Sequence, residues 1–333
     1  MTKILFIQKK NPGFVWSSAI DDLFNWGKNN LNKVDLESCI ITTKGSNQEV
    51  KNKITSLSKD DIIIFNHTIS FWLLQKSLKQ AKKNGVKIFY FMHEHEHILG
   101  HDFLRKNLFN IRLKEWLRYC YFWYKKPIEF STNIVGLSFC QCINTTILHK
   151  FMRISALGIT PEKFPTKESV RSLVGDKIKI LFPHNPNRFD KGFRFTSFIK
   201  ENQKLELVMG NTLKLPYDEV YTKYHNADII FLPSDYESYS IVLIEALATN
   251  SIIVTNTNAG IIQLLLSKYT KLELEEKGLF ISEHNINRYK ETMAKAINAL
   301  KSNKIVKTSE LFNDFHFDLY TCSQHFWDAI LNG

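Results

Sequence analysis

The chain predicts an α/β protein made of two doubly wound, Rossmann-like halves facing a central cleft. Three observations carry that prediction. Strand-like apolar runs alternate with helical stretches almost throughout the 333 residues, the pattern of parallel sheets covered by helices. A stretch with Gly158, Pro161 and Pro165 and no clear strand interrupts the alternation, which then starts again. The length is enough for two domains, each with its own core.

In chain order, the first half shows strands near Lys3–Ile7, Leu36–Ile41, Ile62–Phe65, Lys87–Met92 and Ile134–Leu137. Residues 155–174 read as a linker, which gives a first domain of 1–155 and a second of 156–308. The second half repeats the rhythm at Lys177–Phe182, Leu205–Met209, Ile229–Leu232, Ile252–Thr255 and Leu279–Ile281. Residues 309–333 form a third segment, helical and aromatic-rich from Ser309 to Leu331. There is no internal repeat beyond the α/β rhythm and no low-complexity segment. In doubly wound sheets ligands sit outside the C-terminal strand ends, so the site is expected there.

Composition narrows the class. With 44% apolar and 23% charged residues the chain resembles an ordinary soluble protein. Met1-Thr2-Lys3 leads into only four apolar residues, Ile4–Ile7, which does not read as a secretory signal. No apolar run approaches the roughly 18 residues of a membrane span. The expected location is therefore cytoplasmic or peripheral. Cys39, Cys120, Cys140, Cys142 and Cys322 form no Cys-x-x-Cys pair, and an odd count argues against a disulfide framework or a closed zinc site. The formal charge of +11 asks for an anionic partner: nucleic acid, an acidic membrane face or a phosphorylated substrate.

The most informative stretch is FLPSDYESYSIVLIEALATNSIIVTNTNAG, from Phe231 to Gly260. It reads as a buried strand, a turn holding Glu237, a helix holding Glu245, then another strand. If Tyr239 begins the helix, the N–H groups of Tyr239, Ser240 and Ile241 lack intrahelical acceptors and make an anion site suited to phosphate. Eight residues of helix would set the two acids roughly 12 Å apart, about the span from sugar to ribose in a nucleotide sugar. Two Glu residues eight apart near a helix start are commonly just a solvated face. Set between strand, Pro233-Ser234, helix and strand, the spacing is far more specific.

This block resembles the Glu-x7-Glu signature of glycosyltransferase family 4, the retaining family of the GT-B fold. Asn226-Ala227-Asp228, Glu245-Ala246-Leu247-Ala248 and Ile252-Ile253-Val254-Thr255 match the frame around it, and Leu157–Phe164 resembles the segment that opens the family's second domain. The resemblance implies that Glu237 lies by the transferred sugar and that Glu245 holds the ribose hydroxyls. It also implies a last helix that crosses back to the first domain.

A second motif follows the strand at Lys177–Phe182: Pro183-His-Asn-Pro-Asn-Arg188-Phe-Asp-Lys191-Gly192. A guanidinium forks onto two phosphate oxygens and an ammonium acts as a point charge, so Arg188 and Lys191 suit a diphosphate. Such cations stabilise a leaving nucleoside diphosphate, a task a divalent metal performs in other transferases. No Asp-x-Asp metal motif is present, and no metal or other cofactor is expected. The resemblance covers this loop too, in its Phe-Pro-x-x-Pro-x-Arg-x-x-Lys branch, with Pro183-His184 replacing the family's usual Gly-Arg.

His93-Glu94-His95-Glu96-His97 satisfies the zinc peptidase pattern His-Glu-x-x-His. That chemistry needs both His on one helical face, whereas here a strand precedes directly and Gly100 follows. The resemblance instead assigns His93 to the transferred sugar and its phosphate. Near Asn11-Pro12-Gly13-Phe14 the family has two adjacent glycines, and Gly13 is the candidate for backbone approach to donor or acceptor.

Residues 103–126 hold seven Lys or Arg against Glu115, with eight interleaved aromatics. Such a helix suits an anionic leaflet or a lipid-linked acceptor, a nucleic-acid patch looks similar, and a core helix with basic edges accounts for it equally. Nucleic acid is not the expected partner, given the Glu-x7-Glu block. Taken together, the resemblance implies a metal-independent, retaining hexosyltransferase moving sugar from a UDP- or GDP-type donor to a hydroxyl of a glycan or lipid-linked glycan, in surface polysaccharide or lipopolysaccharide assembly. The alternatives are a nucleotide-sugar epimerase of the same fold, a zinc hydrolase using His93 and His97, or a non-catalytic basic binding protein.

Overall fold

The computed structural model describes residues 1–9, 15–42, 46–92, 122–136, 151–153, 157–167, 177–210, 217–235, 237, 239–302 and 306–333. The chain divides into two compact units. One comprises Met1–Pro12, Ile20–Ala156 and Ser323–Gly333, and the other Gly13–Ala19 and Leu157–Cys322. Each contains a parallel sheet with helical crossovers.

The first sheet has the order β2-β1-β3-β4-β5-β6. Its strands are β1 (Thr2–Gln8), β2 (Val34–Ile40), β3 (Ile62–Phe65), β4 (Lys87–Met92), β5 (Asn133–Gly136) and β6 (Phe151–Arg153). β3 and the last five residues of β4 are buried on both faces, which is why their sequences IIIF and IFYFM do not alternate. β2 sits at the edge, and its burial alternates instead. Helix Thr68–Lys83 covers one face through Phe71, Leu74, Leu78 and Ala81. The last helix, Leu319–Asn332, buries Phe326 and Trp327; Trp327 Nε1 donates to the Leu23 carbonyl at 3.0 Å, over Gly27, where a side chain would collide with the indole.

The second sheet has the order β11-β10-β9-β7-β8, with β7 (Ile178–Phe182), β8 (Leu205–Met209), β9 (Ile229–Leu232), β10 (Ile252–Asn256) and β11 (Leu279–Ser282). The sequence expectations match these strands to within one or two residues. Differences lie elsewhere. β6 is an additional strand of three residues pairing with β5. The expected linker carries the bridge of Ile159 to Asp318 and a 3-10 turn at Pro161–Lys163. The segment after Ser309 is two helices, Thr308–Asp314 and Leu319–Asn332, separated where His316 takes a φ of 51°. Among the described residues no helix is long and apolar enough to cross a membrane.

Candidate active site

The site is built where β7, β9 and β10 end, the central strands of the second sheet. After β7 the chain enters Pro183–Gly192. Gly192 adopts a φ of 72°, and a Cβ there would lie 2.0 Å from the Pro233 carbonyl oxygen. Only glycine fits both the left-handed backbone and the close approach. The loop after β7 is thereby pressed on the turn after β9, and Asp235 N donates to the Asp190 carbonyl at 2.9 Å.

Glu237 sits in that turn with its backbone held like a strand. Its N–H donates to the Asn258 carbonyl at 3.1 Å and its own carbonyl accepts from Gly260 N at 3.0 Å. The carboxylate forms an ion pair with Lys191 and accepts from Ser234 Oγ at 3.2 Å. His184 Nε2 lies 3.6 Å away. Among the described residues, all three converge on Oε1. Burial alone would raise the carboxyl's pKa, but the charge and hydrogen bond of Lys191 outweigh it and hold the group below its ordinary value. His184 is buried, and among the described residues its Nε2 has no hydrogen-bond partner. Burial, reinforced by Lys191, pushes its pKa down to about 4, so the imidazole is neutral at physiological pH.

The expected helix start at Tyr239 is corrected by the structure. The helix runs Ile241–Ala248, and Ser240 precedes it in the left-handed region at φ 86°. The reason is the strand-like bridge at Glu237: the Tyr239 carbonyl is turned to accept from Ile261 N at 3.4 Å and is lost to the helix. The Ser240 carbonyl takes Leu243 N and Ile244 N, which leaves Ile241 and Val242 as the outward donors of the first turn. A separation of 12 Å from continuous helix therefore does not apply to the two acids. Glu245 is 3% exposed and accepts from Tyr224 Oη at 2.9 Å. Burial pushes its carboxyl up to about 7 against the lowering effect of that hydrogen bond.

Arg188 forks onto Asp190 at 2.7 and 2.6 Å, with Lys191 Nζ 3.8 Å from the same carboxylate. Arg194 forks in turn onto Asp235, which also meets His284 Nε2 at 2.7 Å. Burial would raise Asp235, yet the hydrogen bonds from His284 and Arg194 hold its carboxyl down.

The structure thus pairs Lys191 with Glu237 and joins Arg188 to Lys191 through Asp190, while Ser240 caps the Ile241–Ala248 helix and Glu245 lies within it. Tyr239 faces inward at 2% exposure and stacks edge-on with Phe317 at 6.3 Å. Gly13, His93 with the rest of His93–His97, and most of 103–126 lie outside the described residues. Sequence reasoning did not single out Ser234, Tyr224, Asp190 or Asn256 as individual site residues. An Asp between the two loop cations, and a Tyr in the helix before Asp228, were the available signals.

No curated protein matches the sequence. Among solved structures, Anabaena HepE in complex with UDP aligns with a TM-score of 0.69 at 11% identity, covering 100% of both chains. Sucrose-phosphate synthase from Thermosynechococcus elongatus aligns at 0.65 and 12% identity over 99% of this chain and 98% of that one. WaaG, a glycosyltransferase involved in lipopolysaccharide biosynthesis, aligns at 0.58 and 13% over 99% and 100%. At these identities the likeness is one of fold. Residues 194–310, which include Glu237, Glu245 and the whole helix between β9 and β10, match the family model of glycosyl transferases group 1.

Proposed function

We propose that the chain is a group 1 glycosyltransferase that moves a sugar from a nucleoside-diphosphate donor, UDP- or GDP-type, to a hydroxyl of a glycan or lipid-linked glycan. The observation that carries this reading is the convergence of Lys191, Ser234 and His184 on one oxygen of Glu237, in the turn that leads into the Ile241–Ala248 helix. A carboxylate neutralised on one oxygen keeps its other for a sugar hydroxyl. Lys191 and Arg188, each resting on a carboxylate, are the cations that a diphosphate would draw upon, together with the helix start. As the glycosidic bond breaks, negative charge grows on the leaving phosphate, and preset cations and N–H dipoles lower that barrier. Glu245, buried in the following helix, holds the ribose hydroxyls.

The finer reading follows the family resemblance: transfer with retention of anomeric configuration, no metal, the leaving phosphate taking the acceptor's proton on the same face, and His93 near the transferred sugar. The fit to glycan assembly draws on neighbours of the same fold. HepE has been captured with UDP and with UDP-glucose, and WaaG and the galactosyltransferase WaaB act in lipopolysaccharide. A peripheral position at the cytoplasmic membrane through 103–126 belongs to the same proposal.

The test is thermal unfolding of the purified protein against nucleoside diphosphates and their sugars, with chelator present throughout. The expected result is a stabilising shift with one base, diminished in Arg188→Ala and Lys191→Ala. No shift with any nucleotide would remove the reading. Products formed without acceptor separate transfer from epimerisation.

A further inference from the structure

We infer that Asn256, the last residue of β10, is a positioning residue for Glu237, because its one side chain fixes both flanks of the turn that carries the carboxylate. The inference rests on the donor-site reading above. Asn256 is 1% exposed. Its Nδ2 donates to the Ser234 carbonyl at 2.8 Å, and its Oδ1 accepts from Asn258 N at 2.7 Å. Ser234 is the residue whose hydroxyl donates to Glu237 Oε1, and Asn258 is the residue whose carbonyl receives the Glu237 N–H. Side chain and backbone of Glu237 are thus anchored to two residues that share one amide.

The amide has one sense, with Nδ2 on the side of Ser234 and Tyr289 and also 3.2 Å from His284 Nδ1. Asn258 N–H needs the oxygen and the Ser234 carbonyl needs a hydrogen, which fixes the sense of the side chain. The second Nδ2 hydrogen goes to Tyr289 Oη at 2.6 Å. The Tyr289 hydroxyl then donates to His284 Nδ1 at 2.9 Å, and His284 Nε2 donates to Asp235 Oδ1 at 2.7 Å. Arg194 closes the chain on Asp235. This assignment places a His284 ring proton on Nε2 and leaves no donor or acceptor of the chain opposed. Asp235 lies two residues before Glu237, so the network returns to the same turn it leaves at Ser234.

The consequence is electrostatic as well as geometric. Against the raising effect of burial, Lys191 is the largest influence that lowers the Glu237 carboxyl. A turn that has slipped separates the pair and raises the carboxyl.

The discriminating variant is Asn256→Asp. It keeps the acceptor for Asn258 N–H and sets a carboxylate oxygen against the Ser234 carbonyl. The expected result is a fall in kcat on the order of tenfold or more, since small misplacements of a reacting group are costly. KM for the nucleotide sugar is expected to rise by less than kcat falls, and the acid limb of the pH profile to move to higher pH. Combined with Ser234→Ala, the losses should be less than multiplicative, because Asn256 acts on Glu237 partly through Ser234. A lower Tm in Asn256→Asp with native kcat, KM and pH profile would overturn the inference and leave Asn256 a structural residue. Should native protein fail to turn over any nucleotide sugar, the donor-site reading itself fails. If native protein turns over and Glu237→Gln does not, the Asn256 result judges the positioning role alone.

Discussion

Glu237 and Glu245 are eight residues apart in one motif, yet the fold treats them in opposite ways. Glu237 has a cation, a hydroxyl and an imidazole about one oxygen, and its pKa lies below the ordinary value. Among the described residues Glu245 has a single tyrosine hydroxyl, in an apolar helix, and its pKa rises to about 7. The first is therefore held as an anion at any physiological pH. The second sits at the edge of neutrality, able to accept from a ribose hydroxyl as an anion or donate as an acid. Pairs of like groups pushed apart by their surroundings mark a division of labour.

The largest expected effect comes from removing the fixed anion. Glu237→Ala should lower kcat with the nucleotide sugar by on the order of a thousandfold, the scale of a lost electrostatic contact at a reacting centre, with the fold retained by circular dichroism. Full turnover in that variant would erase the distinction between the two acids.

Lys191→Met should come next, because it strands a buried carboxylate. Loss of one partner of a buried pair costs about 3 kcal/mol or more, readable as a lower urea midpoint at pH 7.5. Without Lys191, burial lifts the folded-state pKa of Glu237 above its unfolded value. The deficit should then shrink as pH falls toward 5 and the carboxyl takes a proton.

Glu245 predicts a pH dependence of opposite origin. Its folded pKa of about 7 exceeds the unfolded value of 4.5, so its contribution to stability is full below 4.5 and is lost as pH rises through 7. The shift corresponds to about 3 kcal/mol. Glu245→Gln keeps the acceptor for Tyr224 and should flatten the stability profile between pH 5 and 8 while weakening nucleotide binding. A native profile in Glu245→Gln would sink the assignment of the shift to this residue.

Arg188→Ala should give the smallest change in stability, within about 1 kcal/mol, since the Arg188 fork on Asp190 is partly exposed. Its nucleotide affinity should still fall about tenfold, measured by the thermal shift.

How much of this was legible beforehand follows from range. The strands of both sheets could be read because runs such as Ile62–Phe65 and Ile229–Leu232 announce buried parallel strands locally. Three residues at Phe151–Arg153 are too few to show a period. Cation type and position in the loop after β7 were legible, as were both acids. That Lys191 would rest on Glu237 was not, because 46 residues separate them and Gly192 closes the gap only in three dimensions. The late helix start had the same cause. Ser240 is driven into the left-handed region by a bridge from Glu237 to Ala259, and no local propensity encodes that pairing. Asn256 looked like the end of a strand, and its four polar neighbours come from three separate segments.

The central claim is that Glu237 faces the sugar while the diphosphate is held by other groups. Titration calorimetry of a nucleoside diphosphate and of its sugar conjugate, on native protein and on Glu237→Gln, tests it most directly. The account predicts that native protein binds the conjugate more tightly than the bare diphosphate, and that Glu237→Gln binds the two alike with the bare diphosphate's affinity preserved. Loss of bare diphosphate binding in Glu237→Gln, or undiminished preference for the conjugate, would contradict it.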